Sequence, residues 1–254
     1  MSMRLLLDLG NTRLKWALQQ GDGRLAQGSV AWDERVTEVL SDAWSALPQP
    51  AAVFGASVVD AAREKQIATC VATESWREVT WLRTPASACG VRNAYAEPQR
   101  LGVDRFLAMV AAHADGYSPC VLAGIGTALT LDALAAEGRH LGGLIAPGPQ
   151  LMQQSLLEAT ARVRPQRPGE ILELADNTAD AVASGCWQAA AALIERFATR
   201  MAPRLGGAPT LVLGGGDAAI LLPLLTLPAQ LSHDGVLRGL AVWADTQVVV
   251  PSAR

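Results

Sequence analysis

The stretch LLLDLGNTRLKWAL, residues 5–18, decides how this chain reads. Leu5, Leu6 and Leu7 form an apolar run of the length of a short buried strand. Asp8 then brings a carboxylate to a place where an unpaired buried charge would be costly. Gly10, Asn11 and Thr12 are turn formers. The chain resumes with Leu14, Trp16 and Leu18 in alternation, so the segment is expected to be a β-hairpin with a polar tip. Such a tip gathers backbone N–H groups, a hydroxyl, an amide and a carboxylate, which is equipment for phosphate and a metal ion. The same residues also close ordinary hairpins, and the tip alone leaves both uses open.

The pattern returns. VLAGIGTALTLDAL, residues 121–134, is again an apolar strand, a glycine turn with a threonine, and an alternating strand. Apolar strands followed by Gly-Thr turns are common, and chance recurrence is one explanation. The other is an internal repeat, which at this length implies a duplicated domain. Two such hairpins facing each other across a cleft would grip one polyphosphate from both sides.

Between the repeats, periodicity predicts a strand at 25–31 and an amphipathic helix at 33–47, with Val36, Val39, Leu40, Ala43 and Leu47 on one face. A strand at 51–55, a helix at 60–73 and a strand at 79–82 come next. Strands in a meander that then alternate with helices build a mixed sheet with helices packed on it. Residues 83–100 read as a polar link, and 101–114 as a helix. From Cys120 the order restarts with strands at 120–126, 130–134 and 140–145. Residues 156–176 are mostly polar and proline-bearing. A long helix is expected at 178–201, then a final strand at 210–213 that leads through Gly214, Gly215 and Gly216 into another helix.

The chain has 254 residues, half of them hydrophobic, enough for one large domain or two of ordinary size. Its 21 Lys and Arg against 24 Asp and Glu leave a net charge of −3, with no basic cluster, so a nucleic-acid footprint is missing. Apolar runs break off before bilayer-spanning length, and MSMRLLLDLG is too short an apolar run for a secretory signal. A cytoplasmic protein without membrane contact is expected. Cys70, Cys89, Cys120 and Cys186 are scattered and read as reduced core residues. His113, His140 and His233 fall in no catalytic pattern.

One further cluster carries chemistry: NAYAEPQRLGVDRF, residues 93–106. Adjacent Asp104 and Arg105 with Tyr95 upstream suit a small polar substrate, because a carboxylate takes a proton from a hydroxyl and a guanidinium holds an anion in a fork. A helix-start ion pair uses the same residues. In HLGGLIAPG, residues 140–148, the pair Gly142-Gly143 serves either a close approach or a tight corner. Asn177-Thr178 reads as an N-cap. LVLGGGDA, residues 211–218, is a strand–glycine turn–helix corner without the spacing of a P-loop or a dinucleotide fingerprint.

Taken in order, DLGNTRLK, Tyr95 with LGVDR, GIGTALTLD with HLGGLIAPG, NTADAVASG and LVLGGGD resemble the type III pantothenate kinases, a family related to the Bvg accessory factor proteins. The resemblance runs from Asp8 to about Gly239. It implies an α/β fold of duplicated actin/hsp70/acetate-kinase-like (ribonuclease H-like) domains, with mixed sheets and helices around a central cleft. The expected domains are 1–114, with the first phosphate loop and the substrate base, and 115–254, with the second loop and the adenosine-side glycine turn. The implied reaction is transfer of the ATP γ-phosphoryl group to pantothenate, the first step toward coenzyme A. By resemblance, Asp8, Leu9, Gly10, Asn11, Thr12, Arg13, Leu14 and Lys15 form the first phosphate loop, with Asp8 holding Mg²⁺, and Thr127 lies in the second loop. Asp104 matches the general base. Tyr95, Gly102, Val103, Asp104 and Arg105 match the pantothenate site, with Arg105 suited to the substrate carboxylate. Thr178 matches a substrate contact made across the interface of a homodimer. The family also uses a monovalent cation, K⁺ or NH₄⁺, bound by an aspartate that opens the second loop, and here Gly124 stands in that place. A different reading, suggested by the family's other name, is an accessory protein affecting transcription with weak or no kinase activity. The acidic balance speaks against its binding DNA directly.

Overall fold

A computed structural model describes residues 3–21, 23–160 and 167–247. The opening hairpin is β1 (Met3–Leu9) and β2 (Arg13–Gln20), and β3 (Gly23–Ala31) extends the meander. β1 reads as a continuous apolar run because helices cover it on both faces. Leu5, Leu7 and Leu9 share one cluster with Leu40, Trp44, Ile67 and Val71. Leu6 points the other way, into a cluster with Phe54, Val103, Leu107, Leu237, Leu240 and Trp243.

The helix expected at 33–47 is shorter, α1 (Val36–Trp44). Asp33 accepts a hydrogen bond from the Arg35 N–H at 2.9 Å, a local turn that competes with the first helical turn. β4 (Ala52–Ser57), α2 (Ala61–Thr73) and β5 (Val79–Leu82) complete a sheet of order β3-β2-β1-β4-β5. The link at 83–100 is folded rather than featureless. It holds a small hairpin, β6 (Ser87–Ala88) and β7 (Val91–Arg92), and a 3₁₀ turn at Pro98–Arg100 before α3 (Val103–Ala114).

The second sheet contains β8 (Cys120–Ile125), β9 (Ala128–Leu134) and β10 (His140–Pro147), followed by α4 (Pro149–Ala159) and α5 (Thr178–Met201). β11 (Thr210–Gly214), α6 (Ala218–Leu221) and β12 (Ala229–Leu231) end it. Its order, β10-β9-β8-β11-β12, repeats the first sheet strand for strand. The senses repeat too: β1 and β8 each pair antiparallel with the next strand and parallel with a later one. The echo is therefore a structural duplication. Trp187, Ala190, Ile194 and Phe197 of α5 pack on β8, β9 and β11.

Beyond the link, three more described elements escaped the periodicity reading. α4 begins with Pro149 right after Gly148, a helix start in a stretch to which the periodicity assigns no element. β12 is only three residues long, so β11 is not the final strand. α7 (Gly235–Gln247) buries Leu237, Leu240, Trp243 and Ala244. These side chains lie in the cluster around Leu6, and Arg4 on β1 pairs with Asp245. The chain accordingly forms one compact unit that runs through Ala114 and takes in α7, and a second, Asp115–Asp234. The expected boundary of 115–254 is corrected at its far end, because the apolar face of α7 belongs to the first core.

The glycine pair on β10 serves a bulge: the register with β9 shifts between His140 and Gly142, and Gly142 has φ +109°. His140, buried beside it, meets the buried Asp132 carboxylate at 2.8 Å. Cys70 and Cys120 are core residues, the Cys120 thiol being pushed up to about 12 by burial, whereas Cys89 and Cys186 are half-buried. Among the described residues, no helix is long and apolar enough to cross a membrane.

Asp180, in the first turn of α5, organises the segment before that helix. It receives two bonds from the Arg167 guanidinium, at 2.9 and 2.8 Å, one from the Asn177 amide and one from the Glu170 N–H. The guanidinium first, then the amide and the N–H, hold its carboxyl well below the usual range. A depressed carboxyl contributes stability above its unfolded pKa of about 3.9, which is lost as pH falls through the lower folded value. Asp180→Asn should lower the melting temperature at pH 7, with the gap from wild type closing as pH falls below about 4. A gap independent of pH in thermal melts would contradict this assignment.

Candidate active site

The first loop is a tight closure of β1 onto β2. Leu9 faces Leu14 and Asp8 faces Lys15 across the pair, and the Gly10 N–H donates to the Arg13 carbonyl at 3.1 Å. Only part of the expected loop presents side chains there. Leu9 and Leu14 are fully buried in the core and contribute backbone alone. Arg13 turns along the sheet, its Nε donating to Ser29 Oγ at 2.9 Å. Asn11 and Thr12 are exposed at the tip. Asp8 and Lys15 alternate onto the opposite face from Leu9, the face that α3 covers.

At that end of the sheet the second group of residues begins. Ala56 lies opposite Asp8 in the β1–β4 register and packs in the cluster that contains Val103. The next residue along α3 is Asp104. Val103 itself is a packing residue. Gly102 leaves room for the carboxylate: a β-carbon there would lie 2.5 Å from Asp104 Oδ1. That oxygen also accepts the Arg105 N–H at 2.8 Å. Arg105 is buried, with 6% of its surface exposed, and its Nη1 donates to the Tyr95 hydroxyl at 3.2 Å. Tyr95 is held in turn by the link. Its N–H donates to Asn93 Oδ1 at 2.9 Å, Asn93 Nδ2 donates to the Pro98 carbonyl, and the buried Thr84 hydroxyl donates to the Leu101 carbonyl at 2.7 Å. The structure thus brings Tyr95, Gly102, Asp104 and Arg105 into one corner. A buried guanidinium with a fixed orientation has the fork geometry that could hold a planar anion.

In the second unit the tip is Gly126-Thr127, closed by the Gly126 N–H on the Ala128 carbonyl at 3.1 Å. Two neighbouring corners lock it. The Gly148 N–H donates to the Thr127 carbonyl at 2.9 Å, and any β-carbon on Gly148 would sit 1.8 Å from the Gly126 oxygen. The Asp217 N–H, beyond the triple glycine, donates to the Ile125 carbonyl at 3.2 Å. Gln150 of α4 donates to the Asp217 carboxylate at 3.0 Å and joins the two corners. The Asp217 carboxyl is raised from its ordinary value by burial, against that hydrogen bond. Sequence reading missed Gln150 and Asp217 as a pair, because no spacing rule links positions so far apart in the chain.

Thr178 is elsewhere on this unit. It is the first residue of α5, with Asn177 as the N-cap accepting the Asp180 N–H at 3.1 Å. It lines a surface groove of ≈ 590 Å³ with Leu156, Asn177, Val182 and Cys186. α4 separates this groove from Thr127: its first residue adjoins the loop, and Leu156 lies about 10 Å farther along the helix.

Gly124 occupies in β8 the place of Asp8 in β1, two residues before the loop glycine in each repeat. A β-carbon at Gly124 would lie 2.6 Å from Thr130 Oγ1 on the facing strand. This position offers no carboxylate, and a neighbouring hydroxyl fills the space that one would need. A cation held by a carboxylate here does not fit. Magnesium is different, since an ion that arrives on nucleotide phosphates keeps several waters and needs only one or two protein carboxylates. Asp8, half-buried at the end of β1, could supply one.

Known proteins agree with this architecture. The profile described as type III pantothenate kinase matches residues 4–200. A protein named type III pantothenate kinase from Xanthomonas campestris pv. campestris (strain 8004) is 44% identical over 239 residues, covering 94% of this chain and 96% of its own. One of the same name from Laribacter hongkongensis is 43% identical over 240 residues, covering 94% and 97%. Among solved structures, a Campylobacter jejuni protein titled a conserved putative Baf family transcriptional activator superposes with a TM-score of 0.62 at 19% identity, over 96% of this chain and 100% of that one. A hexokinase of the ROK type from Thermus thermophilus gives 0.51 at 18%, over 97% and 100%. These structures establish the actin-like and sugar-kinase fold and nothing finer. With its profile match and its relatives matched over nearly their whole length, the chain belongs to the type III pantothenate kinase family.

Proposed function

We propose that this chain transfers the γ-phosphoryl group of ATP to the primary hydroxyl of pantothenate, giving 4′-phosphopantothenate in the first step of coenzyme A biosynthesis. The observation that carries the reading is the corner of Tyr95, Gly102, Asp104 and Arg105, found in a chain whose relatives bear the name of that activity. Phosphoryl transfer asks a protein mainly for positioning and for charge placed around the phosphates. The loop tips at Gly10–Arg13 and Gly126–Thr127 supply N–H groups and hydroxyls for the phosphates, and Lys15 supplies charge beside the first. Magnesium held by Asp8 would neutralise phosphate oxygens. Asp104 accepts the proton of the attacking hydroxyl, and Arg105, oriented by Tyr95, holds the pantothenate carboxylate.

The working form is proposed to be a homodimer in which Thr178 reaches substrate in the partner, and the groove beside it is the surface left for that contact. Sedimentation of the active species decides this point. Because Gly124 offers a monovalent cation no carboxylate, the requirement for such an ion is proposed to be altered.

Asp104→Asn keeps the shape and loses the basicity, so pantothenate-dependent ADP release should fall by about 10²- to 10⁴-fold with the melting temperature unchanged. Turnover near wild type would remove Asp104 from the mechanism. In the same assay, wild-type release should proceed without K⁺ or NH₄⁺ and stay level as either is titrated. A strict requirement for either ion would show that other ligands replace the missing carboxylate.

A further inference from the structure

Every carbonyl at the first loop tip is claimed by a donor. The Gly10 carbonyl accepts the indole N–H of Trp32 at 2.7 Å. The Asn11 carbonyl accepts Arg63 Nη1 at 3.4 Å. The Thr12 carbonyl accepts the Trp32 backbone N–H at 3.4 Å, and the Arg13 carbonyl accepts the Gly10 N–H at 3.1 Å. The Arg63 guanidinium also lies over the Trp32 ring, 5.0 Å from its centroid. Arg63 is itself fixed at the start of α2, where its backbone N–H donates to the N-cap Asp60 at 2.9 Å. Two residues remote in sequence from the loop thus take three of its four carbonyls.

The arrangement matters because a peptide's N–H and C=O point in opposite directions. A loop that offers N–H groups to an anion must keep its carbonyls turned away, and each carbonyl left without a donor favours a peptide flip that would aim an oxygen at the phosphate. At the second loop, backbone N–H groups of Gly148 and Asp217 take the Thr127 and Ile125 carbonyls. The first loop adds two side-chain donors, the Trp32 indole and the Arg63 guanidinium, to its backbone bonds.

We propose that Trp32 and Arg63 are positioning residues for the first phosphate loop, holding its carbonyls outward so that its N–H groups face the nucleotide phosphates. The inference rests on the reading that Gly10–Arg13 binds ATP phosphate. The indole bond, at 2.7 Å, is the strong member, and the two at 3.4 Å are weaker.

Trp32→Phe removes the N–H and keeps a ring for Arg63 to stack on. Calorimetric Kd and kinetic KM for MgATP should rise about three- to tenfold, the loss of one hydrogen bond to the loop, while the KM for pantothenate and the melting temperature stay put. Arg63→Met should raise the same MgATP constants by less. Unchanged MgATP constants in Trp32→Phe overturn the proposal, as does a parallel rise in both KM values with a lower melting temperature, which is the mark of general destabilisation. Wild-type protein that binds no MgATP overturns it too. Wild type that binds MgATP without pantothenate-dependent turnover refutes the pantothenate kinase activity instead, and the brace is then judged on the MgATP Kd alone.

Discussion

The ladder that pairs β1 with β2 on one side and β4 on the other determines where this chain can place charge. A central strand covered on both faces can hold only apolar side chains along its length, and Leu5, Leu6, Leu7 and Leu9 obey this. Polar turn residues and a carboxylate are tolerated where the strand runs out. Asp8, Gly10, Asn11 and Thr12 sit at that limit. The parallel partner β4 ends at the same side, and the start of α3 packs beside it, so the ladder also sets where Asp104 emerges. β8, with β9 and β11, repeats the arrangement in the second unit.

Duplication makes the differences informative. Backbone N–H groups from adjoining corners take the Thr127 and Ile125 carbonyls at the second loop, whereas Trp32 and Arg63 take three of the four at the first. The carboxylate at the end of β1 has no counterpart on β8, where Gly124 faces Thr130. The first loop therefore carries a carboxylate at its base where the second carries only neutral groups.

Legibility in the sequence followed the range of the interactions. The hairpin, the repeat and the long helix rest on neighbours in the chain, and their periodicity was readable. Asp104 and Arg105 were readable as chemistry but equally as a helix-start ion pair. The structure adds that Arg105 is buried and donates to Tyr95, an arrangement that depends on the folding of the link at 83–100. That link looked irregular because its order comes from single polar bonds such as Thr84 to Leu101, which have no period. α7 carries a plain apolar face, yet nothing local says that it returns to the first core. Trp32, Arg63 and the Gln150–Asp217 pair were invisible for the same reason: each acts on a loop far from it in sequence.

The proposed chemistry depends first on phosphate binding at the Gly10–Arg13 loop. Hydrogen exchange at the amides of this loop, monitored while MgADP is titrated, tests it most directly. The expected result is protection at the tip that saturates with the nucleotide. Saturation by nucleotide that leaves the tip exchanging as before would contradict it.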